Sequence, residues 1–272
     1  MESPAVTLQP PSLRPRRFGR VNWIGCWSLL RRQFKSGFSD LHYTILGPVV
    51  SNALYLLLFV IASASLTSLD PIALVSFIAP GLICFAIAER AFEVSGANLI
   101  FEKHHNTHND WMMAPLTATE RAACYALSST IGGVVVGGAV AIMTLAFALP
   151  ALAHPWALVF FGLATGMMHG LIGTLLGIWA MKWDQYTALH TFVLLPLAFL
   201  SGVFAPVDKM PELAQHLIRL NPIFYLIDGF RYGMSGVAAA DPLRSVLVAL
   251  AMNLALFLWV HRWFRSGYRL KS

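Results

Sequence analysis

The chain has 272 residues, of which 57% are hydrophobic and 12% charged, with a formal net charge of +6; an ordinary soluble domain carries about 25% charged residues. Nineteen basic and thirteen acidic side chains cannot cover a soluble surface of this size, which excludes a cytosolic enzyme, a secreted disulfide scaffold and a disordered chain. What remains is a multi-span membrane protein, and the abundance of Leu, Ala, Gly and Met in its apolar runs predicts helices and not the alternating strands of a barrel.

Residues 1–20 are rich in Pro and Arg and have no apolar core behind them at signal-peptide distance, so they read as a flexible cytoplasmic tail. Residues 21–45 contain an amphipathic stretch in which Trp23, Trp27, Leu30, Phe34, Phe38 and Leu41 recur every three or four positions, with Arg31, Arg32 and Lys35 on other faces. A basic helix with a Trp/Phe stripe suits the membrane interface.

Six apolar stretches follow in residues 46–272, at about 46–69, 72–100, 120–149, 155–180, 186–206 and 243–264; each reaches the roughly 20 residues a bilayer requires. The connections near 70 and 150–155 are tight turns, and those at 101–119 and 207–242 are too short for separate domains. With a cytoplasmic N-terminus, fourteen Lys and Arg fall on the cytoplasmic side and four on the other. The basic bias predicts six transmembrane helices with both termini inside. It also accounts for the net charge, because the basic residues flank apolar runs and form no polar nucleic-acid-binding domain. Gly162, Gly166 and Gly170, Gly173 and Gly177, and Gly133 and Gly137 each recur at intervals of four. Such spacing allows close helix approach in lipid, to chain neighbours or to a second subunit.

Chemistry-bearing residues are few. Glu89, Arg90 and Glu93 lie in the second stretch, where ionisable groups mark either a cavity or subunit contact or the interfacial end of a long helix. His104 and His108 stand four apart, a spacing that could share a metal on one helical face; the alternative is a short polar helix that docks a soluble partner. Gly233-Met234-Ser235-Gly236 resembles an intramembrane protease motif, but about 27 Å of helix separates Ser235 from His261, the one later histidine. The scattered histidines do not make a di-iron site. Cys26, Cys84 and Cys124 form no C-x-x-C pair and read as apolar fillers. No G-x-x-x-x-G-K-[ST] loop occurs, so any energy source lies in another chain.

Residues 195–236 read LPLAFLSGVFAPVDKMPELAQHLIRLNPIFYLIDGFRYGMSG. Ser201-Gly202, Pro206 and Pro211 break a membrane helix, and two amphipathic pieces follow on either side of Asn221-Pro222. Broken amphipathic pieces between spans predict a re-entrant helical element over 207–236, dipping into the outer membrane face before the last span. The stretch resembles the signature of the ABC transporter type-2 permease family. It does so through Pro196, Leu197, Ser201, Gly202, Phe204, Pro206, Pro211, Leu220, Asn221, Pro222, Tyr225, Ile227, Gly229, Phe230, Arg231, Tyr232 and Gly233. Ala79-Pro80-Gly81-Leu82, Phe101-Glu102-Lys103 and Ala114-Pro115-Leu116 resemble further motifs of that family, and its YadH-like branch is nearest in pattern.

The resemblance implies an all-α exporter permease of the bacterial inner membrane. It would work as a homodimer among membrane lipids, with two copies of a separate cytoplasmic ABC ATPase that holds the ATP and Mg; the chain itself would carry no cofactor, metal or catalytic residue and bind no nucleic acid. Residues 101–117, with Glu102, Lys103, His104, Asn109, Asp110 and Trp111, would receive the ATPase movement. Asn221, Pro222, Tyr225, Asp228, Arg231 and Tyr232 would form the outer gate, with Asp228 and Arg231 paired or bonded to backbone. A path containing Phe192, Phe199, Met167 and Met168 would favour an amphipathic cargo, unless these side chains face lipid. The readings from other classes are an intramembrane enzyme, serine- or metal-dependent, and a non-transporting scaffold.

Overall fold

The computed structural model describes residues 19–38, 42–64, 71–147, 152–204 and 206–270. The expectations for residues 1–18, Leu41, Lys271 and the turns within 65–70 and 148–151 lie outside the described residues. The elements in chain order are α1 (Trp23–Gly37), a π-helical turn (His42–Leu46) running into α2 (Gly47–Ala64), α3 (Pro71–His104), α4 (His108–Met112), α5 (Ala118–Thr144) and α6 (Pro155–Trp179). After these come α7 (Trp183–Leu189), a second π-helical turn (His190–Leu194), α8 (Leu195–Phe199), a 3-10 turn (Val207–Lys209), α9 (Glu212–Leu220), α10 (Pro222–Ser235) and α11 (Pro242–Ser266).

Among the described residues, five helices are long and apolar enough to cross a membrane: His42–Ala62, Ala73–His104, Ala118–Thr144, Pro155–Trp179 and Pro242–Ser266. The stretch expected as a span at 186–206, broken at Ser201-Gly202, is already interrupted before that break. Helical backbone there runs from Trp183 to Phe199 and is loosened by the π-helical turn, giving about 25 Å of helix. Pro196 lacks the N–H that would bond back to Phe192, which weakens the ladder. Beyond it the Ser201 hydroxyl donates to the Leu197 carbonyl at 2.6 Å, and Gly202 turns the chain at a φ of 77°.

The second span is longer than the expected 72–100. It continues through Pro80 to His104, 34 residues in all, or about 51 Å. The first residues of the expected connection at 101–117 are therefore the last turn of α3. A positive φ at Asn106 then reverses the chain into α4.

The core lies where α3, α5 and α6 meet, around Ile83, Leu99, Phe161, Leu171 and Ile178. The glycine spacing serves this packing within one chain. A Cβ on Gly173 would fall 2.3 Å from the Phe92 carbonyl of α3, one on Gly133 2.6 Å from the Ile87 carbonyl, and one on Gly166 3.0 Å from Thr130 Cα of α5. Backbone against backbone is the contact that a small residue every fourth position allows. By contrast α2 leaves Leu54, Leu58 and Ile61 exposed, as a helix does when it faces lipid or another chain.

Candidate functional site

At one end of α3, Glu102 is the hub of a buried polar node. Its Oε1 lies 3.3 Å from Arg32 Nε and accepts from Gln33 Nε2 at 3.4 Å. Its Oε2 accepts from Trp111 Nε1 at 2.8 Å and from the Tyr125 hydroxyl at 3.0 Å. One carboxylate thus joins α1, α3, α4 and α5. Charge-assisted bonds of this kind are shorter and stronger than neutral ones, and in a buried site they specify one arrangement. Arg32 extends the node, donating to the Thr107 carbonyl at 3.3 Å and lying 3.9 Å from Asp110.

A second clamp fixes the start of α1 to the start of α5. Thr117 and Glu120 form a capping box. Glu120 Oε1 also accepts from the Asn22 backbone N–H at 2.7 Å, while Asn22 Nδ2 donates to the Pro115 carbonyl at 3.1 Å. The T-x-x-E pattern at Thr117–Glu120 carries this signal in sequence. Gln33, Tyr125 and Asn22 carry none, because their partners are 69, 23 and 98 residues away. Thus α1 is docked on protein through buried Leu29 and Gln33 while exposing Trp23, Ile24 and Trp27.

The structure divides the residues expected to contact a motor. Glu102 and Trp111 are buried within the node. Lys103 turns inward, and its Nζ donates to the carbonyls of Gly177, Ile178 and Ala180 at 3.2, 2.8 and 2.6 Å, capping the end of α6. His104, Asn109 and Asp110 are exposed, and so is Met113, at 86%. His104 and His108 do not share a helical face, because the helix ends between them and His108 is buried. Among the described residues no group of three or more His, Cys, Asp or Glu is placed to hold a metal.

At the other end of α3, about 38 Å away along the helix from Glu102 to Phe77, the separate sequence motifs converge. Asn221 caps α10, with its Oδ1 accepting from Ile223 N, and its Nδ2 donates to Ser201 Oγ at 2.6 Å and to the Leu197 carbonyl at 2.8 Å. Pro222 takes the first turn of α10, where its missing N–H costs nothing. Arg231 Nη2 donates to the Gly202 carbonyl at 2.7 Å, its Nε to the Phe77 carbonyl at 3.4 Å, and its guanidinium lies 4.0 Å from the Phe77 ring. Asp228 lies 3.7 Å from Arg231 and accepts from the backbone N–H of Ala239 and Ala240 at 3.0 and 2.9 Å. The Pro80-Gly81-Leu82 motif seats this cluster: a Cβ on Gly81 would fall 3.0 Å from the Val203 carbonyl. The Tyr225 hydroxyl holds the Arg219 carbonyl at the end of α9, and Tyr232 stacks on His154 with ring centroids 4.3 Å apart.

Residues far apart in the sequence, at 77–82, 197–203 and 221–240, are thus brought together in space. The ABC-2 type transporter family matches residues 25–235. The chain belongs to the ABC-2 type transporter family. Among the relatives of this ABC-2 permease is the inner membrane transport permease YadH of Escherichia coli K12, 27% identical over 92% of this chain and 98% of the relative. Nodulation protein J of Rhizobium leguminosarum bv. viciae is 25% identical over 82% of this chain and 86% of its own. Nodulation protein J of Rhizobium meliloti is 23% identical over 79% and 82%.

Within the ABC-2 permease, the intramembrane cluster splits in two. Arg90 is buried, bonds Glu93 Oε2 at 2.8 Å and donates to the Gly37 carbonyl, securing the junction of α1 and α2. Glu89 faces α7 and its π-helical turn, 3.9 Å from His190 Nε2. Ser235 does not bond a histidine: its hydroxyl donates to the Arg231 carbonyl at 3.0 Å and accepts from Val237 N. Of the side chains expected on a path, Met168 is a core residue, whereas Phe192 is 78% exposed.

Proposed function

We propose that the chain is the membrane half of an ABC exporter in the bacterial inner membrane. It would act as a homodimer whose ATP and Mg are held by two copies of a separate cytoplasmic ATPase. The five long apolar helices among the described residues and the broken Trp183–Phe199 segment would make six crossings, and the bias of Lys and Arg supports a cytoplasmic side for both termini and α4. The re-entrant pieces α9 and α10 then lie at the outer face. The name of one relative, an inner membrane transport permease, supports transport, and the names of the two nodulation proteins leave the cargo open.

One observation carries this reading: α3 is a single helix of 34 residues that touches both polar clusters. The exposed residues Asn109, Asp110 and Met113 offer a surface to the ATPase. A push on α4 reaches Trp111, then Glu102, and so α1, α3 and α5 together. At its far end α3 holds Arg231 and the turn at Gly202, so its movement shifts the outer pieces. A rigid element with two anchored ends is a physical route for coupling.

The test is co-purification with the ATPase encoded nearest the gene, followed by ATP hydrolysis in lipid nanodiscs. Met113→Asp weakens assembly with the ATPase by about tenfold or more, as loss of a central apolar contact does, and leaves the thermal midpoint of the isolated permease unchanged. Hydrolysis of ATP by the isolated chain would overturn the reading.

A further inference from the structure

Between α3 and the α7–α8 segment lie two cavities that share Glu89, Phe92 and His190 in their walls. The outer one is an open cleft of 320 Å³, lined also by Glu93, Trp183 and Tyr186. The inner one, of 20 Å³, adds His169; it has room for one water-sized group.

The walls are built. The Phe92 ring stacks between Tyr186 and His190, each centroid 4.8 Å away. The Tyr186 hydroxyl donates to the Phe92 carbonyl at 3.1 Å, and its ring comes so close to Gly96 that a Cβ there would fall 2.4 Å from it. The π-helical turn starts at His190, on the cavity wall; such turns gather at functional sites.

The polar side chains that line the inner cavity are Glu89, His169 and His190. His169 is 4% exposed, and its Nδ1–H donates to the Thr165 carbonyl at 3.0 Å. Its Nε2 is then an acceptor, and no protein group among the described residues meets it. Glu93 is matched by Arg90, whereas among the described residues no Lys or Arg pairs with Glu89, and His190 lies at 3.9 Å. An unmatched carboxylate, an orphan acceptor and aromatic faces call for a group that donates hydrogen bonds and carries positive charge.

We propose that this pair of cavities binds a cationic amphiphile by its primary amine. The ammonium sits in the inner chamber between Glu89, His169 and His190, and the apolar body lies in the outer cleft along Phe92, Tyr186 and Trp183. The inference rests on the permease reading only in making this amphiphile the class of cargo; the binding itself does not depend on it.

The experiment uses the purified full-length chain in phosphatidylcholine nanodiscs with radiolabelled octylamine as probe. Saturable binding is expected, weakened by about tenfold or more in Glu89→Gln, since one charge-assisted bond is lost. On the wild-type chain, octyltrimethylammonium competes at least about tenfold less well than octylamine, because a quaternary head has no N–H to donate to Glu89 and His169. Octan-1-ol and octanoate do not compete. Equal competition by octan-1-ol or by the quaternary amine, no saturable binding, or unchanged affinity in a folded Glu89→Gln would each overturn the proposal. Water alone in the chamber gives the same negative result. The competition series needs no variant, so misfolding of Glu89→Gln leaves the test intact. A permease that fails to bind octylamine can still couple to its ATPase, and one that binds it can fail to couple, so the two readings fail separately.

Discussion

Arg231 in α10 holds the carbonyl of Gly202, 29 residues earlier, at 2.7 Å, and the same guanidinium rests on the ring of Phe77. One side chain thereby fixes the turn that ends α8 to the end of α3 remote from Glu102. Its partner Asp228 is 1% exposed and is also held by the N–H groups of Ala239 and Ala240.

Arg231→Met is therefore expected to cost about 3–5 kcal/mol, because it leaves a buried carboxylate without its cation. Asp228→Asn keeps one acceptor for the two N–H groups and costs less, about 1–3 kcal/mol. Arg231→Lys keeps the charge and loses the fork that reaches Gly202 and Phe77 together, so it falls between wild type and Met. Thermal midpoints of the purified variants in one detergent give the ranking. A Met variant as stable as wild type would sink this account of the cluster.

Glu102 makes a different comparison. Glu102→Ala strands the Trp111 indole N–H, the Tyr125 hydroxyl and the Gln33 amide in a buried site, at about 1–3 kcal/mol for each donor left unpaired. Glu102→Gln keeps one acceptor oxygen, enough for Trp111 and Tyr125, and turns an amide NH2 towards Arg32 and Gln33, so its thermal midpoint falls below wild type and stays above that of Ala. In the assembled complex both lower ATP turnover that depends on the permease, and Ala does so more. Equal midpoints for Ala and Gln would show that the carboxylate is not the joint between α1, α4 and α5.

The two variants also mark what was legible from sequence. Apolar runs predicted the long helices, because a bilayer imposes one length on each. The break between α9 and α10 is legible at Asn221-Pro222 and the turn after α8 at Ser201-Gly202, where breakers punctuate an apolar stretch. The segment at 186–206 reads as apolar throughout, and its subdivision into α7, a π-helical turn and α8 is not legible, since hydropathy registers Pro196 and the π-helical turn only as apolar residues. Glu102 was legible as a motif residue and not as a hub, because Gln33, Trp111 and Tyr125 reach it from three other helices. Lys103 reads in sequence only as part of the expected coupling segment. Its true role depends on where α6 ends, and no local pattern near residue 103 encodes that.

Lys103→Met tests that role. Without the ammonium, the carbonyls of Gly177, Ile178 and Ala180 lose their shared donor, and a cation at a helix C-terminus contributes about 0.3–1 kcal/mol or more when half-buried. Hydrogen exchange of the amides at the end of α6 is expected to quicken by a few-fold, with the amides of α5 unchanged. Unchanged exchange at Leu176–Ala180 would mean that the helix end is held by other groups.

The glycines of α6 give the sharpest contrast between close packing and open space. A methyl group at Gly173 meets the Phe92 carbonyl at 2.3 Å and Ser95 Oγ at 2.6 Å, both on α3. Backbone cannot yield as a flexible side chain can, so Gly173→Ala is expected to push α6 from α3 and to cost about 1–3 kcal/mol. Gly138 in α5 has nothing within 4 Å of its would-be Cβ, and alanine there restricts the unfolded chain and suits a helix better, by about 0.4–1 kcal/mol. The two substitutions add the same methyl group and should move the thermal midpoint in opposite directions. If Gly173→Ala matched or exceeded wild type, the contact between α3 and α6 would have to be looser than backbone against backbone, and α3 could not serve as a rod braced along its length.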